Sequence, residues 1–378
     1  KKLLPNAKGH LSATGALRGP PQKLQLQAEL QGRELQFDAH QIANIDADID
    51  VDLSAQKAST IDLQASGLYL AGQRWQQLSL NGKGTPAQHQ LTVDLDQGPV
   101  ELKLALGGRW LESIWNGAIS QLDLTQELAG PWRLQQPVTL QASAVSANID
   151  PFCLQRLPLG SGELCGQSRW SSQKGVDGTL QTRQLGLKLL EPWLPVGTDV
   201  KGQLQAQAYF EIKPGQRPSF KVDAGLLGTE LLLEDEDLRV EAGEIQLSVN
   251  GQGETLRAEL QLPLLQPAGS LQAKLVVDDL YRRPALDGQL DMTINDLKFI
   301  SLFAPQLQAI SGNLESLLTL SGTAEQPQVQ GYLQLFNARA EVPALGIKLD
   351  DIELTLRDQP NSDSLQLNGS VRSDDGTL

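Results

Sequence analysis

The sequence predicts an all-β protein: a long antiparallel meander curled into an open β-gutter with a hydrophobic groove, broken by a few short helical insertions. Three observations carry this. Apolar and polar residues alternate with a period of two along most of the 378 residues. Glycine-containing dipeptides punctuate that alternation. The apolar material is aliphatic, with 69 Leu against 7 Phe, 6 Trp and 4 Tyr. Successive side chains of a strand point to opposite faces, so each alternating stretch is a strand with one apolar and one wet face.

The elements follow in order. Leu24, Leu26, Ala28 and Leu30 alternate with glutamines and a glutamate. Ile45, Ala47, Ile49, Val51 and Leu53 alternate with Asp46, Asp48, Asp50 and Asp52. Val100, Leu102, Leu104 and Leu106 form another strand, and Leu204, Ala206, Ala208, Phe210 and Ile212 a longer one. Next come Ile245 to Val249, Leu256 to Leu264 (with Leu260 and Leu262) and Leu271 to Val277. The last are Val329, Leu333 and Leu335, then Leu365, Leu367 and Val371. Alternation over four to eight residues is the primary strand signal. Asn81-Gly82, Gly107-Gly108, Asn250-Gly251 and Asp287-Gly288 suit tight hairpin turns, because such dipeptides tolerate positive φ. The phase slips at Asp350-Asp351, which predicts a bulge there.

Residues 186–195 and 298–310 lose the period of two, and 122–128 does so more weakly. We expect short apolar helices or loops there. Each of the first two is followed by a restart, at Gly202 and at Gly312, which hints at a repeat of several strands plus a crossover. Leu-Pro-Leu-Gly-Ser-Gly lies between Cys153 and Cys165, the two cysteines, and reads as a turn that brings two strands together. A close isolated pair suggests one disulfide and an oxidising compartment; two reduced, buried thiols are the alternative.

Formal net charge is −14, with Lys and Arg scattered singly. No clustered basic footprint for nucleic acid or anionic membrane surfaces is present. The acidic residues sit on polar beats and read as a solvated outer face. No run of 18 apolar residues reads as a spanning helix. The text opens at Lys1-Lys2 and stops mid-strand at Leu378, so we expect a segment of a longer chain. No catalytic motif, phosphate loop or dinucleotide fingerprint occurs. His10, His40 and His89 are far apart and read as surface residues. The two cysteines lack the histidines of a zinc set, and the acidic runs at 46–52 and 234–237 lack calcium-loop spacing. The expectation is therefore no enzyme, no metal and no cofactor. The six Trp are spread singly; they read as plugs at groove ends or edge anchors rather than carbohydrate platforms. Asn368-Gly-Ser is a lone glycosylation sequon.

A sheet with an apolar face must bury it against a second sheet, by closing into a barrel, or under something that is not protein. Roughly 25 strands at about 4.8 Å spacing would make a gutter on the order of 100 Å long. Aliphatic lining suits acyl chains, since each buried CH₂ contributes about 0.8 kcal/mol. A scaffold for β-rich clients and a packed β-solenoid adhesin are the competing readings.

From residue 310 the text becomes more specific: Ile310-Ser-Gly-Asn-Leu, Leu320-Ser-Gly-Thr-Ala-Glu-Gln-Pro-Gln-Val-Gln-Gly-Tyr-Leu-Gln-Leu, and Val342-Pro-Ala-Leu-Gly-Ile-Lys-Leu-Asp-Asp-Ile-Glu-Leu-Thr-Leu, then Val371 to Leu378. It resembles the C-terminal domain of TamB-type members of the AsmA-like bridge family of Gram-negative envelopes. Pro131-Trp-Arg-Leu-Gln-Gln-Pro137, Cys153, Leu164-Cys165 and Trp170 resemble the same family. The resemblance implies a periplasmic β-gutter whose inner-membrane anchor lies outside this segment. It implies transport of phospholipid acyl chains towards the outer membrane, an Omp85-type (TamA-like) barrel as partner, and a link to outer-membrane protein assembly. It divides the chain into gutter segments 1–120, 121–200 (with Cys153, Cys165 and a helical insertion) and 201–309, and the truncated start of a C-terminal domain at 310–378. The expected groove lining is Ile45, Ile49, Val51, Leu53, Leu102, Leu104, Leu106, Leu204, Ala206, Phe210, Leu260, Leu262, Leu333 and Leu335.

Overall fold

The computed structural model describes residues 7–20, 24–52, 57–70, 72–127, 129–158, 161–194, 197–233, 238–299, 304, 306–358, 365–373 and 376–377. The chain divides into two units, residues 1–178 and 179–378. Both are built almost wholly of antiparallel strands, as the alternation predicts.

The first unit runs β1 (Ala7–Arg18), β2 (Gln25–Phe37), β3 (His40–Asp52), β4 (Ser59–Leu70), β5 (Gln73–Thr85), β6 (Gln88–Asp96), β7 (Val100–Leu111) and β8 (Ile114–Gln126). It continues with β9 (Gly130–Leu134), β10 (Val138–Ala142), β11 (Ser146–Arg156) and β12 (Glu163–Ser171). From β1 to β8 each strand pairs with the next. β9 and β10 share one position in the sheet, since both pair with β8 and with β11. β13 (Gly175–Gly186) crosses the boundary between the units.

The second unit has β14 (Thr198–Ile212), β15 (Ser219–Leu233), β16 (Leu238–Ala242), β17 (Ile245–Gln252), β18 (Thr255–Gln266), β19 (Gly269–Asp278) and β20 (Ala285–Ile294). β21 (Gln308–Gly322), β22 (Pro327–Val342), β23 (Ile347–Asp358), β24 (Leu365–Ser373) and β25 (Gly376–Thr377) complete it. Here β16 and β17 share a position between β15 and β18. The interruption at 186–195 contains a 3₁₀ turn, Leu187–Trp193, with Leu187 buried. In that at 298–310, Phe299 and Leu307 pack against the cluster of Ile294, Leu297, Ile310 and Ala340. The weaker one at 122–128 is not a break: β8 runs through to Gln126. Its irregular phase comes from a register shift opposite Ala105 and Leu106.

The four predicted turn dipeptides are not turns. Asn81-Gly82 lies inside β5, Gly107-Gly108 inside β7, Asn250-Gly251 inside β17 and Asp287-Gly288 inside β20. At Gly251 and Gly108 an aromatic ring covers the glycine backbone, whereas Gly82 has ordinary room for a Cβ. A Cβ on Gly251 would lie 2.4 Å from the Phe220 ring, and one on Gly108 2.6 Å from the Trp115 indole. The real hairpins use other residues, among them Glu112-Ser113, both with positive φ.

The slip at Asp350-Asp351 is a bulge: Asp351 has φ 47°, and the register shifts between Asp350 and Glu353. Asn337 in β22 and Gly312 in β21 are irregular at the same level, with φ 52° and 135°. Register shifts accompany them on both strands. Gly202 in β14 repeats the device, with φ 125° and a register shift beside it. A bulge bends its strand and advances the side-chain phase by one. Bulges aligned across neighbouring strands therefore bend the sheet along a line and keep apolar residues on one face.

Candidate functional site

Cross-strand register shows which apolar residues share a surface, because directly opposed residues face the same way. One row reads Ala13, Leu30, Ala47, Leu63, Leu80, Val93, Leu104 and Leu122, one residue from each of β1 to β8. The row beside it reads Ile45, Ala65, Leu78, Leu95, Leu102 and Leu124. In the second unit Ala206, Ala224, Leu247, Leu260, Ala273, Leu290 and Leu318 make a similar row over β14, β15 and β17 to β21. These are aliphatic floors, each continuous within its unit.

Most of these side chains are half-buried rather than buried. Leu247 remains 39% exposed on its row. Among the described residues, the substantial contacts between elements are those of hydrogen-bonded neighbours, apart from the turn at Leu187–Trp193 against β14. A leucine in such a floor touches its neighbours along the sheet and keeps its outer side open.

True cores are local. Leu134, Val138 and Leu154 cluster where β9 meets β10. Ile294, Leu297, Ile310 and Ala340 cluster where the insertion folds onto the second floor beside Met292, Leu314 and Leu335. Among the described residues, Leu297, 2% exposed, is the largest fully buried side chain.

The expected lining residues fall on these floors, half-buried: Ile45, Ile49, Val51, Leu102, Leu104 and Leu106 in the first unit, and Leu204, Ala206, Phe210, Leu260, Leu262, Leu333 and Leu335 in the second. Leu53 lies outside the described residues, as does the acidic run at 234–237. Sequence reading missed Leu63, Leu80, Val93 and Leu122 as floor residues, although their alternation was visible. Its picture of four solvated aspartates also needs correction: Asp52 is 2% exposed and accepts a hydrogen bond from the Lys57 backbone N–H.

The opposite face is polar. Glu29, Asp48 and Asp62 are directly opposed on β2, β3 and β4, with no cation between them in the row. Like charges so placed oppose pairing. They line an open concavity of about 930 Å³ with Asp46, Gln64, Lys83 and Thr92. A twisted sheet is saddle-shaped and can be concave on either face. Ion pairs hold the polar face elsewhere. Hydrogen bonds from Lys57 and Gln27 keep the Asp50 carboxyl below the usual range. Lys221 and Ser248 do the same for Asp223. Partial burial pushes Asp123 up, but the bonds from Arg133 and Gln121 outweigh it and leave it lowered. Cys153 and Cys165 are directly opposed on β11 and β12 and joined by a disulfide.

Three tryptophans lie near the ends of their strands. Trp110, Trp115, Ala142, Ala147 and Trp170 form one row across β7, β8, β10, β11 and β12. Just inside it run Gly84, His89, Gly108 and Gly117. The Trp115 indole lies on Gly108 and Gly117 and donates from Nε1 to His89 Nε2 at 2.7 Å. An indole N–H can only donate, so that ring nitrogen accepts, and Nδ1 donates to the Thr85 carbonyl at 3.1 Å. His89 is thus a half-buried hydrogen-bond partner on the apolar face, not the surface residue expected.

A meander of antiparallel strands whose apolar rows run from strand to strand within each unit defines an all-β protein with a one-sided aliphatic sheet. The chain belongs to the TamB family: the family model for the TamB N-terminal domain matches residues 1–335. That match runs past residue 310, where the sequence resemblance sets the start of a C-terminal domain. The chain is 22% identical over 384 residues to the translocation and assembly module subunit TamB of Haemophilus influenzae. The alignment covers the whole chain and 29% of that relative, so the chain spans less than a third of its length. No solved structure matches it.

Proposed function

We propose that this segment carries phospholipid acyl chains on its aliphatic floor, as part of a periplasmic bridge between the inner and outer membranes of a Gram-negative envelope, without catalysis. The observation that supports this reading is the row from Ala13 to Leu122, aliphatic across eight strands and still half-open. Leaving such a surface in water costs about 25 cal/mol per Å² of apolar area, which a sliding hydrocarbon chain removes without needing directional contacts. The membrane anchor would lie outside this segment. A photo-crosslinking residue at Leu104, Leu204, Leu262 or Leu335 should capture lipid. One at Asp48, Gln205 or Glu259, on the polar face, should not. Equal capture from both faces would end the reading.

The relative's name, a translocation and assembly module subunit, supports a second reading, a scaffold for assembly; the sequence resemblance adds outer-membrane β-barrels as clients and an Omp85-type partner. Pairing through a strand edge would then carry the function. Proline substitutions on a terminal edge strand should abolish it, while Leu→Asp changes on the floor should leave it intact.

A further inference from the structure

We infer that the row Trp110–Trp115–Trp170, backed by His89, marks the polar boundary of the bound lipid, so that headgroups sit over the β7–β8 rim and acyl chains run from it towards Leu102. This rests on the lipid reading above and adds an orientation to it.

The argument starts from the order of residues across the floor. Moving along β7 from Leu102, the apolar-face residues are Leu104, Leu106, Gly108 and Trp110. The surface thus passes from aliphatic to a glycine shelf, then to indole. On β6 the residue level with Gly108 is His89. That is the polarity sequence of a lipid-facing surface, in which aliphatic side chains meet the hydrocarbon and Trp meets the interface, its ring apolar and its N–H polar. From Leu102 to Gly108 is six residues, about 20 Å along a strand. One leaflet's hydrocarbon is about 15 Å thick. A single acyl chain therefore fits between the shelf and the far side of the floor.

The choice of rim follows from exposure. Trp110 is 52% exposed, Trp170 40% and Val145, between β10 and β11, 59%. Trp132, level with Leu102 and Leu124, is instead packed against the Leu134 cluster and spends its N–H on the Ala129 carbonyl. The rim with Trp110 is open and amphipathic; Trp132 is packed on an apolar cluster with its N–H already used. The His89 bond matters because it holds the Trp115 ring flat on the glycine shelf and satisfies its N–H where the surface turns polar.

The test uses the full chain with a single Trp, either Trp115 or Trp132, the other five changed to Phe. Each is mixed with phosphatidylcholine vesicles brominated near the ester end or near the methyl end of one chain. Trp115 should be quenched about twofold more by bromine near the ester, as interfacial indoles are, and Trp132 more by bromine near the methyl. A second measurement avoids multiple substitutions: a photo-crosslinker at Ala142, which lies in the tryptophan row directly opposite Trp115, should capture a headgroup-labelled lipid, and Trp115→Phe should reduce that capture but not capture from Leu104. Equal quenching of Trp115 by both lipids, or no capture at Ala142 while Leu104 still captures, overturns the orientation and leaves the lipid reading standing. No capture from either site and no quenching overturns both.

Discussion

Replacing Leu104 by Asp separates an open floor from a closed core. Leu104 lies between Val93 and Leu122 and is half-buried. Full burial of a leucine contributes about 1.5–3 kcal/mol, so half of it is about 1 kcal/mol. The new carboxylate can turn to water on the open side, so no charge is trapped. Leu134→Asp in the same unit is the control, because Leu134 is 8% exposed and packed between Val138 and Leu154. Truncating a buried leucine costs about 2–5 kcal/mol by itself, and the unpaired buried charge adds to this. Urea unfolding followed by far-UV circular dichroism should therefore show a shift of about 1 kcal/mol for Leu104→Asp and at least about 4 kcal/mol for Leu134→Asp. Leu104→Asp should also lose co-purifying lipid, read by native mass spectrometry. If the two variants are equally destabilised, the floor is covered and the reasoning from exposure is wrong.

Gly312→Ala should cost at least about 2 kcal/mol in thermal or urea unfolding, because the residue sits at φ 135° and its new Cβ would lie 2.6 Å from that of Ala338. Gly215→Ala, at φ 70° with nothing within 4 Å, should cost only about 1 kcal/mol. Cys153→Ser with Cys165→Ser should lose about 2–4 kcal/mol, and the wild type under reductant should fall to the same melting temperature. Asp223 is lowered in the folded state, so its contribution is present above the unfolded value of about 3.9 and is lost as pH falls through the lower folded value. Its exposure limits that contribution to a few tenths of a kcal/mol. Asp223→Asn should therefore be slightly destabilised relative to wild type at pH 7, with the difference vanishing near pH 2, in paired urea titrations.

The alternation in Ile45 to Val51 determined by itself that a strand exists there and which side chains share its face, because pleat geometry has a period of two whatever the neighbours are. The aliphatic composition and the bulge at Asp350-Asp351 were legible for the same reason. The glycine dipeptides were misread because a glycine's role depends on what lies beside it. Asn81-Gly82 is locally an ideal turn, and only the strand pairing puts Gly82 between Ile61 and Leu91 on a floor. His89 and Trp115, 26 residues apart, carry no local sign of each other. Their bond exists because β6, β7 and β8 pair in one register and Gly108 leaves the space between them empty. Local periodicity sets which face is apolar. Which residues meet on that face, and where it ends in tryptophan, is decided by register, a property of strands paired and not of any strand alone.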